Sequence, residues 1–275
     1  MFYAITAIAD GLTELMCVLA TAKRSAVLIC VLLASQWSVA QDAAMTPHHL
    51  DCFADVYPPY TVQREGGVSG IAVDLLQEAG RRVGLDVTVK VLPFARITNE
   101  LKRGAASPVA CAYAFSRTTE RELTMLFGTV PVSTTRYVLY AKSGVGNSYT
   151  GSVALRGARI GVRLAFRVPE AIKQAAERGE LTLETVNNDE FNFRKLGLGR
   201  VDYVLTNEDV GETMILRLKL EDTHALRPAV EEFATYMVFN KAMEQAPALR
   251  NALDKGMQAV RADGTEKRIR AQYLR

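Results

Sequence analysis

From Leu50 onward, apolar runs of strand length alternate with segments of helical spacing, and the alternation occurs twice with an extended segment between the two series. No other feature constrains the chain as strongly. Strand–helix–strand units bury both faces of their strands only by stacking them into a largely parallel sheet with helices on its faces. The first series opens with a short apolar strand at 50–54. Residues 71–83 then place Ile71, Leu75, Leu76, Ala79 and Val83 on one helical face, with Gly84 positioned to end it. A β-branched, alternating strand follows at 87–92, a helix from Pro93 to Gly104, and a third strand at 109–115. Between the first strand and the first helix lies D-V-Y-P-P-Y. Its two prolines forbid helix and central strand, so Tyr57 and Tyr60 are expected on a rigid extended loop.

Residues 136–142 (R-Y-V-L-Y-A-K) read as a strand that crosses into a second series, because a Gly/Ser-rich loop, S-G-V-G-N-S-Y-T-G-S, comes next. That series contains strands at 159–162, 181–186 and 202–206. Helices are expected at 169–178, 189–198 and 208–218, the first with Pro169 at its start and Gly179 past its end. A short strand near Ala225 precedes a second crossing strand at 233–239, and a helix at 248–261 follows. The pattern predicts two α/β lobes, the second inserted in the first: 41–138 and 236–275 form one lobe and 139–235 the other. Neither crossing has the composition of a flexible linker.

Composition bounds the function. Over 275 residues the chain is 49% hydrophobic and 23% charged with a formal charge of +3, which excludes wholesale disorder and gives no electrostatic footprint for nucleic acid. Near the amino terminus, Lys23 and Arg24 precede an uncharged run at 25–34, too short for the ~20 residues a membrane-spanning helix needs. Small residues at Ser38 and Ala40 complete a secretory signal, with cleavage expected after Ala40 and a soluble periplasmic product. Asp10 and Glu14 sit awkwardly ahead of the basic pair, which a start at Met16 instead of Met1 would remove. Cleavage also removes Cys17 and Cys30. Cys52 and Cys111 are left either to form a disulfide in an oxidising compartment or to stay as two buried thiols. The three histidines, His48, His49 and His224, form no metal-ligand spacing, and no cofactor motif is present.

The segment V-A-C-A-Y-A-F-S-R-T-T-E-R at 109–121 carries the main functional hint. A buried strand that ends in hydroxyls and guanidiniums presents donors at its carboxyl end, where open α/β sheets bind small ligands. The same residues also read as a plain helix start, with Ser or Thr as N-cap and Glu120 in the first turn.

Taken together, Y-P-P-Y, G-I-A-V-D-L-L-Q-E-A, S-R-T-T-E-R, L-R-G-A-R-I-G-V, L-G-L-G-R-V-D-Y-V-L-T-N and V-R-A-D-G-T-E-K-R-I-R-A-Q-Y-L resemble the amino-acid-type (family 3) periplasmic solute-binding proteins of ABC importers. The resemblance covers nearly the whole chain after residue 40. It implies a type II two-lobe clamp: two mixed, mostly parallel sheets joined by crossing strands near 136–141 and 233–238, with the ligand between the lobes. By position, Arg121 matches the family's carboxylate-binding arginine, Ser116 its ligand-binding hydroxyl, Phe94 the aromatic over the ligand side chain and Tyr57 the wall of the first loop. Two departures stand out. Asn207 falls where the family often has an aspartate for the ligand ammonium, with Glu208 or Asp209 as substitutes. After Val162, Arg163-Leu164-Ala165-Phe166-Arg167 replaces the family's Gly-Thr or Gly-Ser, bringing Arg163 and Phe166 into the ligand-binding set. Arg96 is extra, and is expected to cap local carbonyls.

The implied function is capture of a small carboxylate-bearing solute, an amino acid or a relative, by a periplasmic monomer. The partner is the membrane permease of an ABC importer, and neither cofactor nor chemistry on the ligand is expected. The alternatives are a cyclohexadienyl/arogenate-dehydratase-like enzyme on the same fold, with Glu208, Asp209 and Asp55 as its acid/base candidates, and a sensory protein that docks on a receptor.

Overall fold

A computed structural model describes residues 48–274 of the chain. The expected leader, its cysteines and both candidate start residues lie outside the described residues. The strands are β1 (His49–Ala54), β2 (Val62–Arg64), β3 (Gly67–Ser69), β4 (Asp86–Val91), β5 (Cys111–Ser116), β6 (Met125–Lys142), β7 (Arg159–Arg163), β8 (Thr182–Val186), β9 (Tyr203–Asn207), β10 (Thr223–Ala225) and β11 (Glu231–Asn240). The helices are α1 (Ile71–Arg82), α2 (Phe94–Lys102), α3 (Thr119–Thr124), α4 (Glu170–Glu177), α5 (Asp189–Gly197), α6 (Glu208–Leu218), α7 (Ala246–Ala262) and α8 (Thr265–Tyr273).

The main sheet runs β4-β1-β5-β11-β6-β9-β7-β8, with β10 paired to β6. Its outer wings are parallel: β1 pairs with β4 and β5, and β7 with β8 and β9. The centre is antiparallel, because β6 and β11 run against each other and join the wings through β5 and β9. The mixed, two-wing α/β architecture is the one expected, with the ladder continuous through the crossing strands. In each wing the first strand is flanked on both sides. β1 lies between β4 and β5, and β7 between β8 and β9, so each carboxyl end is a point where the strand order reverses and a crevice opens.

Apolar faces explain how the helices seat. On one side of the sheet, α1 buries Ile71, Leu75, Leu76 and Ala79 beside Leu249, Leu253 and Met257 of α7. This core runs on through Val138, Tyr140 and Phe239 of the crossing strands to Phe193 and Val210 of α5 and α6. The other side holds two separate cores, one around Ile97 and Leu101 of α2 and one around Ile172 and Ala175 of α4. At Gly256 α7 packs directly on the α1 backbone, since a Cβ there would meet the Ala79 carbonyl oxygen at 2.1 Å.

Some local expectations are corrected. The first crossing strand begins at Met125, eleven residues before Arg136, although Gly128 and Pro131 punctuate it. Pro131 is tolerated because it sits opposite Tyr236, where the register shifts and an N–H is dispensable. The Tyr57–Tyr60 stretch is a tight turn, not an extended loop: the Tyr57 carbonyl accepts from the backbone N–H groups of Tyr60 at 2.8 Å and Thr61 at 3.0 Å. The β2–β3 hairpin was not anticipated.

Cys52 and Cys111 face each other across β1 and β5 with Cα atoms 4.4 Å apart, and their sulfurs are bonded. The bond closes a loop that holds α1, β4 and α2. Replacing both cysteines with serine is expected to lower unfolding stability by ~4 kcal/mol, read as a shifted urea midpoint under non-reducing conditions. The same shift should follow from adding a reductant to the unsubstituted protein.

Candidate functional site

The carboxyl ends of β1, β5 and β7 converge on one cavity between the wings, and the crossing strands form its floor. From the first wing it is lined by Asp55, Tyr57, Tyr60, Phe94, Ser116 and Arg121. The loop after β7 contributes Phe166 and Arg167. Ser133, Thr135 and Tyr137 of β6 and Phe233 and Thr235 of β11 line the floor, and Ala54, Thr61, Tyr113 and Ala114 complete the lining.

Arg121 owes its aim to the helix start that precedes it. Thr118 is the N-cap of α3, and its hydroxyl accepts from the Arg121 backbone N–H at 3.3 Å, which fixes the first turn. The guanidinium then folds back over β5, donating to the Ser116 carbonyl at 2.9 Å and the Ser116 hydroxyl at 2.7 Å. A third bond reaches across the cleft to the Ala165 carbonyl at 3.2 Å. All three acceptors are neutral, and no carboxylate pairs with Arg121 among the described residues. Burial pulls its pKa below the usual arginine value.

Opposite Arg121, a denser ionic cluster ties the wings together. Arg163, the last residue of β7, is only 4% exposed. It donates to Asp55 and to the Val56 carbonyl, at 3.1 Å, in the first wing. In its own wing it donates to Asp189 at 3.1 Å and to the Asn187 carbonyl at 3.0 Å. Asp189 also accepts from the Thr206 hydroxyl at 2.7 Å, and Asp55 from the Phe94 backbone N–H at 3.1 Å. Burial pushes the Asp55 carboxyl up, against the downward pull of Arg163 and the Phe94 amide. A further bond between the wings joins the Tyr60 hydroxyl to Asp209 at 2.5 Å.

Aromatic rings pack around both guanidiniums. Phe166 lies against Phe94 and Tyr57, with centroids 4.5 and 5.4 Å away. Ala114, which lines the cavity, and Ala165, which accepts from Arg121, both have φ near 65°. That is a left-handed conformation costing an alanine roughly 1–2 kcal/mol, and such strained residues gather at functional sites.

Of the residues singled out from sequence, Tyr57, Phe94, Ser116, Arg121 and Phe166 are brought to the cavity wall. Asn207 and Arg163 are not. Asn207, 2% exposed, is the N-cap of α6, and its side-chain oxygen accepts from the backbone N–H groups of Asp209 and Val210. Its side-chain oxygen is thereby committed to a helix end. Arg163 is committed to the two aspartates and two carbonyls just described. Glu208 is held by Arg136 at 2.8 Å and by Arg227, away from the cavity. Asp209 faces Tyr60, so of the three acid/base candidates only Asp55 lines the cavity. Arg96 is exposed, caps no carbonyl among the described residues and is not on the cavity wall. Sequence reasoning missed the floor. Its signal was there: Ser133, Thr135 and Tyr137, like Phe233 and Thr235, are two apart and therefore share a face of an extended strand. Among the described residues no cluster of His, Cys, Asp or Glu is arranged to hold a metal ion, and no helix is long and apolar enough to cross a membrane.

Two α/β wings closing on a small, partly aromatic, cationic site define a solute-binding clamp. The sequence pattern of the bacterial extracellular solute-binding proteins, family 3, matches residues 52–275, and the chain belongs to that family. A probable amino-acid-binding protein of Bacillus subtilis (strain 168), YxeM, is 23% identical over 218 residues, spanning 78% of this chain and 80% of that one. An ancestral arginine-binding protein bound to arginine has a similar structure, with a TM-score of 0.71 at 20% identity over 84% of this chain and 100% of that one. A histidine kinase sensor domain with similarity to periplasmic binding proteins matches with a TM-score of 0.70 at 20% identity, over 82% of this chain and 96% of that one. At that level of identity the structural likenesses speak for the fold.

The Arg163 cluster has a direct consequence for stability. Removing one member of a buried ion pair leaves an uncompensated charge, so Arg163→Met is expected to cost ~3–5 kcal/mol in urea unfolding. Arg163→Lys, which keeps the charge and loses the planar fork, is expected to recover only part of that loss.

Proposed function

We propose that the protein captures a small carboxylate-bearing solute, an amino acid or a related acid, in the cleft between its wings, and that Arg121 is the anchor for the carboxylate. The lobes in this reading are 41–138 with 236–275, and 139–235. The observation that carries it is the state of Arg121: a half-buried guanidinium on the cavity wall whose hydrogen bonds, among the described residues, all go to neutral oxygens. A half-buried cation of this kind gains from an anion, and a carboxylate matches its planar donor fork with two parallel charge-assisted bonds. The Ser116 hydroxyl beside it and the hydroxyl floor of β6 and β11 supply further polar contacts. Membership of an extracellular solute-binding family and the expected secretory leader support a periplasmic location, and delivery to the permease of an ABC importer follows from that setting.

Calorimetric titration with a panel of amino acids and simple organic acids tests the reading. Arg121→Ala is expected to weaken every ligand that binds by roughly 10–100-fold, the equivalent of about 1.5–3 kcal/mol for a hydrogen bond to a charged group. Binding indifferent to this substitution would remove Arg121 from the site.

A further inference from the structure

We infer that Phe166 sets a size limit on the ligand: the cleft takes a short carboxylate, with no more than one or two carbons beyond the carboxyl group along the apolar wall. The inference rests on the reading of Arg121 as carboxylate anchor and concerns how far a ligand held there can extend.

Phe166 comes from the second wing, yet its ring packs on the first. Its centroid lies 4.5 Å from that of Phe94 and 5.4 Å from that of Tyr57, and all three rings line the cavity. Ring surface that Phe94 and Tyr57 could offer to a ligand tail is thus covered by a side chain of the protein itself.

The loop that carries the ring is pinned on both sides of it. Arg163 is held by Asp55 and Asp189, the Leu164 N–H donates to the Val186 carbonyl at 2.9 Å, and the Ala165 carbonyl accepts from Arg121 at 3.2 Å. Beyond the ring, Arg167 makes two bonds to Glu231, one of them at 3.1 Å. The Phe166 N–H returns to the Arg163 carbonyl at 3.3 Å and closes a turn in which Ala165 has a φ of 65°, the sign that the third position of a type II turn requires. An alanine stays in that conformation only where its surroundings over-determine the backbone, so the fold itself fixes where the ring stands.

The limit follows from two distances. Arg121 Cζ lies 5.6 Å from the Phe94 centroid and the Phe166 centroid 4.5 Å from it, so the guanidinium and the Phe166 ring are no further apart than these two lengths laid end to end. A carboxylate bonded to the guanidinium takes up about 4 Å of that span and van der Waals contact with the ring another ~3.5–4 Å, which leaves roughly 2–3 Å, one or two carbon–carbon bonds.

Other directions suit an apolar tail poorly. The floor presents the hydroxyls of Ser133, Thr135 and Tyr137, and a hydrocarbon laid over them would displace water without replacing its hydrogen bonds. Tyr60, Tyr113 and Tyr137 also reach the wall, but each is at most 5% exposed and gives a tail little ring surface to lie on. Phe233 is already packed against Tyr137 and the Arg167 guanidinium.

Calorimetric titration of the full chain with two length series tests this: glycine, alanine, leucine and phenylalanine, and acetate, propanoate, 4-methylpentanoate and 3-phenylpropanoate. The expected result is that, in each series that binds, the two long members are at least tenfold weaker than the two short ones. Phe166→Ala is expected to tighten the long members at least tenfold while changing the short ones less than threefold, and Phe166→Leu to give an intermediate gain. Long members binding the unsubstituted protein as tightly as short ones, still in an Arg121-dependent way, would overturn the size limit and leave the carboxylate anchor standing. So would a length preference unchanged in both folded Phe166 variants. Binding that ignores Arg121→Ala, or no binding by any member of either series, would overturn both. Circular dichroism melting of the variants separates altered binding from lost folding.

Discussion

A guanidinium buried at the junction of the two wings governs the rest of the cleft. Taking Arg163 out of water costs several kcal/mol, and the chain offsets this with two carboxylates and two carbonyls drawn from both wings. The requirement places Asp55 and Val56 of the first wing against the end of β7 and holds the aromatic rings of Tyr57 and Phe166 beside the cation. It also decides the charge of the cavity. With Asp55 paired to Arg163 and Arg167 to Glu231, Arg121 is the guanidinium on the wall that no carboxylate contacts among the described residues.

The site lies where it does because of strand order. In each wing the helices that follow the first strand pack on opposite faces of the sheet, which leaves a crevice at that strand's carboxyl end. The crossing strands turn these two crevices toward each other. β6 and β11 are hydrogen-bonded along most of their shared length, so a change in the angle between the wings has to be absorbed within this ladder. Its register shifts, at Thr235–Tyr236 and Tyr236–Val238, adjoin the floor residues Thr235 and Phe233. The cavity floor and the irregular part of the ladder are therefore covalently adjacent.

Much of the fold was legible in the chain because it depends on short-range periodicity. The α1 face, the Pro169 start and Gly179 end of α4, and the span of α6 follow from apolar spacing and capping chemistry, which act within a few residues. The long β6 was not fully legible, since Gly128 and Pro131 are local breakers and only the partner strand reveals that the ladder accommodates them. The β2–β3 hairpin was hidden for the opposite reason: its two three-residue strands are too short to show a period.

The sequence by itself determined two α/β series, two crossings, and an arginine and a serine at the end of β5 aimed by a helix cap. Those follow from local hydrogen bonding and hydrophobic alternation. Tertiary structure alone decided which polar groups remain available to a ligand. Asn207 reads like a site residue until its amide is seen capping α6, and Arg163 reads like added positive charge in the cleft until Asp55 and Asp189 are found on it. Its carboxylate partners lie 26 and 108 residues away, and no local pattern encodes that pairing because it depends on which side chains burial brings within reach.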